Sequence, residues 1–234
     1  DLAEGDFTVT ATVTEGGLDS SATRTGIIDT TMPAIDINEP GIGNDLTPTI
    51  SGTASAPQGS TVTVIITDNV GNAQTLTTQM LTNGTWSVAA LTDLVEGEYT
   101  VSATVSDQAG NPASASATGE VDITAPTVSV DALADSNDTT PVISGQSSGM
   151  PAGSLVNITI TDSNNEQQIT TATVGADGSW SVEPTNALAE GDYTVEATLT
   201  DAAGNQGSDT VTGTIDTLAP TITVDAPALT NDNT

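Results

Sequence analysis

The stretch that decides the fold is "LVEGEYTVSATVSDQAGN", residues 94–111, which returns almost unchanged as "LAEGDYTVEATLTDAAGN" at 188–205. Tyr99, Val101, Ala103 and Val105 alternate with Thr100, Ser102 and Thr104. This period of two, with β-branched residues dominant, predicts a strand with one buried face. The strand runs into Asp-x-Ala-Gly-Asn, whose Gly and Asn suit a tight reversal. Asp107 and Asp201 open that reversal, and a turn needs its Gly more obviously than it needs a carboxylate.

Working outward, the whole chain repeats. "LAEGDFTVTATVTE" begins at Leu2, so the three copies start at residues 2, 94 and 188, spacings of 92 and 94. "DTTMPAIDIN" at Asp29, "DITAPTVSVD" at Asp122 and "DTLAPTITVD" at Asp216 keep the same spacing, as do "NGTWSV" at Asn83 and "DGSWSV" at Asp177. A repeat of about 93 residues is long enough to bury its own core. Taking Pro in the linker as the boundary, residues 1–31 are the last two strands of a repeat, 32–124 and 125–217 are complete repeats, and 218–234 start another. The first segment lacks a core and is expected to fray unless a neighbour holds it. The chain begins mid-pattern and reads as a fragment, with no signal peptide in view.

Within the middle repeat the expected strands are A over 34–38, B over 48–54, C over 61–67, C′ over 73–80, E over 85–90, F over 99–106 and G over 113–122. "TVTVIIT" points Val62, Val64 and Ile66 to one side, and "TWSV" does the same for Trp86 and Val88. No helical period is found. Seven short strands with these turns predict an all-β fold of tandem Ig-like Greek-key sandwiches forming an elongated rod. Tyr99 is expected to act as a tyrosine corner, its hydroxyl bonding upstream backbone.

Composition narrows the function. The 234 residues hold 31 Asp and Glu against one base, Arg24, and no His or Cys, for a formal charge of −30. Nucleic acid needs Lys and Arg, so it is excluded as a partner, and anionic membrane surfaces are disfavoured. No apolar run reaches the roughly 18 residues of a membrane span. Without His, Cys or Lys, nucleophilic triads and most general bases are missing, and the chain is expected not to be an enzyme. Five aromatics, Phe7, Trp86, Tyr99, Trp180 and Tyr193, recur at matched repeat positions and read as core. "DSNNEQ" at Asp162 opens like an EF-hand but carries Gln167 where the loop needs Gly. "GIG" at Gly41 reads as an ordinary turn.

The acids sit at strand ends rather than on the Thr-rich faces. Tracing the strands places Asp45, Asp68, Glu96, Glu98 and Asp122 at one pole, with Asp201 and Asn205 of the next repeat facing the linker. Clustered carboxylates without a base repel. They either stay solvated or hold a hard cation, and calcium takes about 6–8 oxygen ligands. The candidate ligands are Asp29, Asp68, Glu96, Glu98, Asp107, Asn111, Asp122, Asp162, Glu190, Asp192, Asp201, Asn205 and Asp216. The alternative is that each turn Asp bonds its own backbone.

"DGSWSV", "LAEGDYTVEATLTDAAGN" and "DTLAPTITVD" together resemble the bacterial Ig-like repeats of giant type-I-secreted RTX adhesins, including biofilm and ice-binding adhesins. The resemblance spans the chain. It implies a cell-surface rod stiffened by calcium at the linkers, with Asp29, Asp122 and Asp216 among the ligands, neighbouring repeats as its partners and a monomeric state. "TEGGLDS" departs from the family's turn, placing Glu15 where Asp107 and Asp201 stand. The competing function is a module that itself binds a carbohydrate or protein. Near-identity of the repeats favours a spacer, since a binding site makes one unit different from its fellows.

Overall fold

A computed structural model describes residues 1–225. Every named element among them is a strand, and no helix is long and apolar enough to cross a membrane. Two compact units form. The first comprises residues 1–123 with 202–204, and the second comprises 124–201 with the chain from Asn205 on.

The first unit opens with a hairpin, β1 (Gly5–Glu15) and β2 (Leu18–Ile28). It is paired along its whole length from Gly5↔Ile28 to Glu15↔Leu18. The two-residue turn Gly16-Gly17 has both φ angles positive, at 60° and 84°, the geometry that matches strand twist. The sandwich follows the hairpin in the chain. One sheet has the order β3 (Ile35–Ile37), β5 (Thr49–Ala54), β8 (Thr85–Ala89). The other has the order β4 (Gly41–Gly43), β10 (Pro112–Val121), β9 (Gly97–Ser106), β6 (Thr61–Thr67), β7 (Ala73–Gln79). "GIG" is thus not a turn. It is strand β4, paired parallel to the end of β10. The first sheet's strand β3 ends at Ile37, and Gly41, at φ 69°, carries the chain across to the second sheet.

The second unit repeats the plan. Its sheets run β11 (Thr127–Val130), β12 (Ile143–Ser148), β15 (Ser179–Val182) and β14 (Gln167–Thr173), β13 (Leu155–Thr161), β16 (Gly191–Thr200), β17 (Gln206–Ile215). Where β4 would recur, the contact shrinks to one parallel bridge, Ser136↔Ile215. Residues 218–225 form no strand, and 226–234, the rest of the expected further repeat, lie outside the described residues.

The cores follow the alternation. Val62, Val64 and Ile66 of β6 are fully buried and pack with Tyr99, Val101, Ala103 and Val105 of β9. In the second unit Val156, Ile158 and Ile160 meet Tyr193, Val195, Ala197 and Leu199. Val9 and Val13 of the hairpin hold the positions of Val101 and Val105 but remain exposed, because that hairpin has no second sheet of its own.

Each large aromatic sits directly across the ladder from a glycine. The pairs are Phe7↔Gly26, Trp86↔Gly52, Tyr99↔Gly119, Trp180↔Gly145 and Tyr193↔Gly213. A methyl group at Gly119 would lie 2.4 Å from the Tyr99 hydroxyl oxygen. The ring therefore lies flat over bare backbone. This replaces the expected tyrosine corner: Tyr99 is buried by lying across its glycine, and its hydroxyl forms no bond to upstream backbone among the described residues.

Candidate functional site

Backbone reversal brings three loops of each sandwich to one end, and hydrogen bonds tie them. In the first unit Leu94 N–H donates to the Leu46 carbonyl at 2.8 Å, and Asn69 Nδ2 donates to the Glu96 carbonyl at 2.7 Å. In the second, Leu188 N–H donates to Thr139 O at 2.8 Å and the Ser163 hydroxyl to Glu190 O at 2.7 Å. The loops expected to share a pole do so within each unit.

The turn aspartates are occupied by their own turns. Asp107 Oδ1 accepts the N–H groups of Gly110 (2.8 Å) and Asn111 (2.9 Å), and its Oδ2 accepts Asn111 Nδ2 (2.8 Å). Asp201 does the same with Asn205, at 2.8 Å to the backbone and 3.0 Å to the side chain. Asp68, only 6% exposed, accepts Val70 and Asn72 N–H and Asn72 Nδ2. Asp162 accepts Asn164 and Glu166 N–H at 2.9 Å and Ala189 N–H at 3.3 Å. Glu166 has no side-chain amide to offer, unlike Asn72, and Asn165, at φ 62°, takes the left-handed position that Gly71 fills in the first unit. The Asn111 amide hydrogen bond holds the Asp107 carboxyl below its usual range, with desolvation opposing it. At Asp68 desolvation is the largest influence and pushes upward, but the combined bonds from Asn72, Val70 and Val95 outweigh it and the net shift is downward. A carboxylate suits these turns because its two oxygens accept several N–H donors at once, from backbone and, at Asp68, Asp107 and Asp201, from a side-chain amide as well.

A second set of acids gathers linker residues. Glu190 Oε2 accepts the Thr217 N–H (3.0 Å) and hydroxyl (2.6 Å), while Asp216 accepts Leu218 N–H at 3.0 Å. The Thr217 hydroxyl, then its N–H, lower the Glu190 carboxyl, with a further contribution from Asp216. Glu4 accepts the hydroxyls of Thr31 (2.6 Å) and Thr30 (2.7 Å), and these bonds lower its carboxyl in that order. Asp29 accepts Thr31 N–H, and its carbonyl receives Asn111 Nδ2 at 3.0 Å. Glu4 was missed as a candidate, although it aligns with Glu96 and Glu190 in the "EG" turn of each repeat. Other candidates are placed by their own contacts. Asp122 N–H bonds Gly43 O, Asp192 accepts the Thr214 hydroxyl at 3.1 Å, and Glu98 faces Glu120 across the ladder. Among the described residues no group of three or more Asp or Glu side chains lies in an arrangement that could hold a metal ion.

The bacterial Ig-like domain family matches residues 35–124 and again 126–217. The chain belongs to this family. No curated protein matches it. Among solved structures, bacterial Ig-like repeats of this kind are similar to a tetra-tandem repeat in the extending region of a large adhesion protein, at 33% identity over 92% of this chain and 58% of that one, TM-score 0.40. A Ca2+-stabilised adhesin that helps an Antarctic bacterium reach out and bind ice is 26% identical over 90% of this chain and 56% of its own, TM-score 0.46. A 1.5-MDa bacterial ice-binding adhesin, described for its retention at the host cell surface, is 28% identical over 91% and 74%, TM-score 0.43. The chain thus spans under two thirds of the first two.

Proposed function

We propose that this segment is a spacer in a large bacterial surface adhesin, holding another part of that protein away from the cell. The observation that carries this reading is the repetition itself: two complete Ig-like units in which strands, core aromatics and turn carboxylates recur at matched positions. A spacer needs length and regularity, which tandem self-sufficient sandwiches supply.

Calcium is the second half of the proposal. The donor chemistry fits a hard cation, since the linker sets offer only oxygen and no Lys or His competes. Glu190 with Asp216, and Glu4 with Asp29, would hold the ion together with backbone carbonyls. It would supply positive charge where these carboxylates otherwise repel. The turn aspartates shape the neighbouring loops, because most of their accepting capacity is already used. The similarity to a Ca2+-stabilised adhesin supports the same reading. The test is a thermal melt of the whole chain in millimolar calcium and again in excess chelator, with magnesium as a control. A higher Tm in calcium alone is expected, and superimposable curves would remove the calcium half. Small-angle scattering tests the spacer half: an extended profile in calcium is expected, and a compact one would refute it.

A further inference from the structure

Asparagine is among the chemically labile residues of a protein. Its side-chain carbonyl carbon can be attacked by the backbone nitrogen of the next residue, and a Cβ on that residue obstructs the approach. Asn83 is the one Asn in the chain followed by Gly. It is exposed, in the turn that leads into β8. Asn111 precedes Pro112, whose nitrogen has no hydrogen to give up, and the other asparagines precede residues with side chains.

The turn is built alike in both units. In the first, Gly84 N–H donates to Leu81 O at 3.1 Å and Leu81 N–H to Thr85 O at 2.9 Å. Asn83 Oδ1 accepts the Thr85 N–H (3.2 Å) and hydroxyl (2.7 Å). In the second, the matched residues are Asp177, Gly178 and Ser179, and Asp177 Oδ1 accepts the Ser179 N–H (3.1 Å) and hydroxyl (2.6 Å). Gly84 and Gly178 share the left-handed backbone, at φ 78° and 82°. The second unit thus carries a carboxylate where the first carries a carboxamide, in the same bonds.

We infer that Asn83 is a deamidation site, and that its two products differ in what they do to the first unit. The Gly84 nitrogen bonds to Asn83 Cγ and loses its proton, and the Cγ–Nδ2 bond breaks to release ammonia. Water then opens the cyclic imide. Opening at one carbonyl gives aspartate. Opening at the other gives isoaspartate, with the main chain rerouted through the side-chain methylene. The aspartate keeps an Oδ1 for Thr85, as Asp177 does for Ser179. In the isoaspartate that carbonyl becomes main chain and the turn is longer. Thr85 then loses its acceptor, and the bonds of Gly84 lose register, among them Ala54 N–H to Gly84 O at 2.9 Å. Ring closure requires the turn to open, because Gly84 N–H and Asn83 Oδ1 are both engaged. The Thr85 hydroxyl is therefore a brake on the reaction.

The test is prolonged incubation of the whole chain at mildly alkaline pH, followed by anion exchange and mass spectrometry. A species with one extra negative charge should accumulate. Its change in mass should map between Asp68 and Asp93, a stretch with no other Asp or Glu. A protease that cuts at aspartate should gain a site at position 83 in one product and not in the isoaspartyl one. In a Trp180→Phe background Trp86 fluorescence follows the first unit. The aspartyl form should melt with the parent, and the isoaspartyl form should melt about 4–8 °C lower for each bond lost. Thr85→Val, which removes the hydroxyl bond, should speed conversion roughly fivefold, and Asn83→Ser should abolish the acidic species. An Asn83 that stays intact while the urea-unfolded chain converts, or an acidic species that maps elsewhere, would overturn the site. Equal melting of the two products would overturn their difference, and an unchanged rate in Thr85→Val would overturn the brake.

Discussion

Replacing Gly145 by Ala tests whether the aromatic–glycine pairs hold the sandwiches together. A methyl group at Gly145 would sit 1.9 Å from the Ser129 carbonyl oxygen and 2.5 Å from Trp180 Cζ2. One neighbour is backbone and the other is a buried ring, 3% exposed, so neither can turn aside. Both pairings of β12, to β11 and to β15, pass through this residue. Overpacking a tight core costs about 1–3 kcal/mol, and a backbone collision places this case near ~3 kcal/mol. For a unit of roughly 90 residues each kcal/mol moves Tm by about 4–8 °C, so the second unit should melt about 12–24 °C lower. Each unit holds a single tryptophan, Trp86 or Trp180. Fluorescence melts in Trp86→Phe and Trp180→Phe backgrounds therefore report the units separately. Only the second transition should move. Gly43→Ala serves as the comparison, since a methyl group there meets nothing within 4 Å. A Gly145→Ala protein whose second unit melts within a degree or two of the parent would refute the reasoning.

Two further outcomes are expected. Asp68, Asp107 and Glu190 have carboxyls lowered in the folded state, so their stabilisation is fully present above the ordinary carboxylate range and is lost as pH falls through their lowered values. Acid melts followed downward from pH 5 should show this loss, and Asp68→Asn should flatten it; an unchanged acid limb would count against the turn carboxylates. Glu120→Thr removes a like-charge pair directly opposite Glu98 and copies the second unit, where Thr214 bonds Asp192. It should stabilise the first unit by about 0.5 kcal/mol in low salt, read from urea midpoints, with the gain shrinking in high salt.

Much was legible in the chain. β6, β9 and β10 could be placed within two residues because period-two alternation is a local signal and each stands between strong turn signals. The turn aspartates were legible as residues, while their role was not. Asp107 in "SDQAGN" reads equally as a ligand or as a turn lock, and only the distances to Gly110 and Asn111 show its oxygens taken by the turn. Glu4 went unnoticed because its importance lies in reaching Thr30 and Thr31, 26 and 27 residues away in the chain.

Repeat length and strand alternation were settled by the order of residues alone, because each is a property of the chain read in sequence. That order sufficed for tandem Ig-like sandwiches. The glycine opposite every large aromatic, the conversion of "GIG" into a parallel strand, and its reduction to one bridge in the second unit were decided by the tertiary structure. Each depends on which distant backbone comes to lie within hydrogen-bonding or van der Waals reach, and nothing local in the sequence encodes that distance.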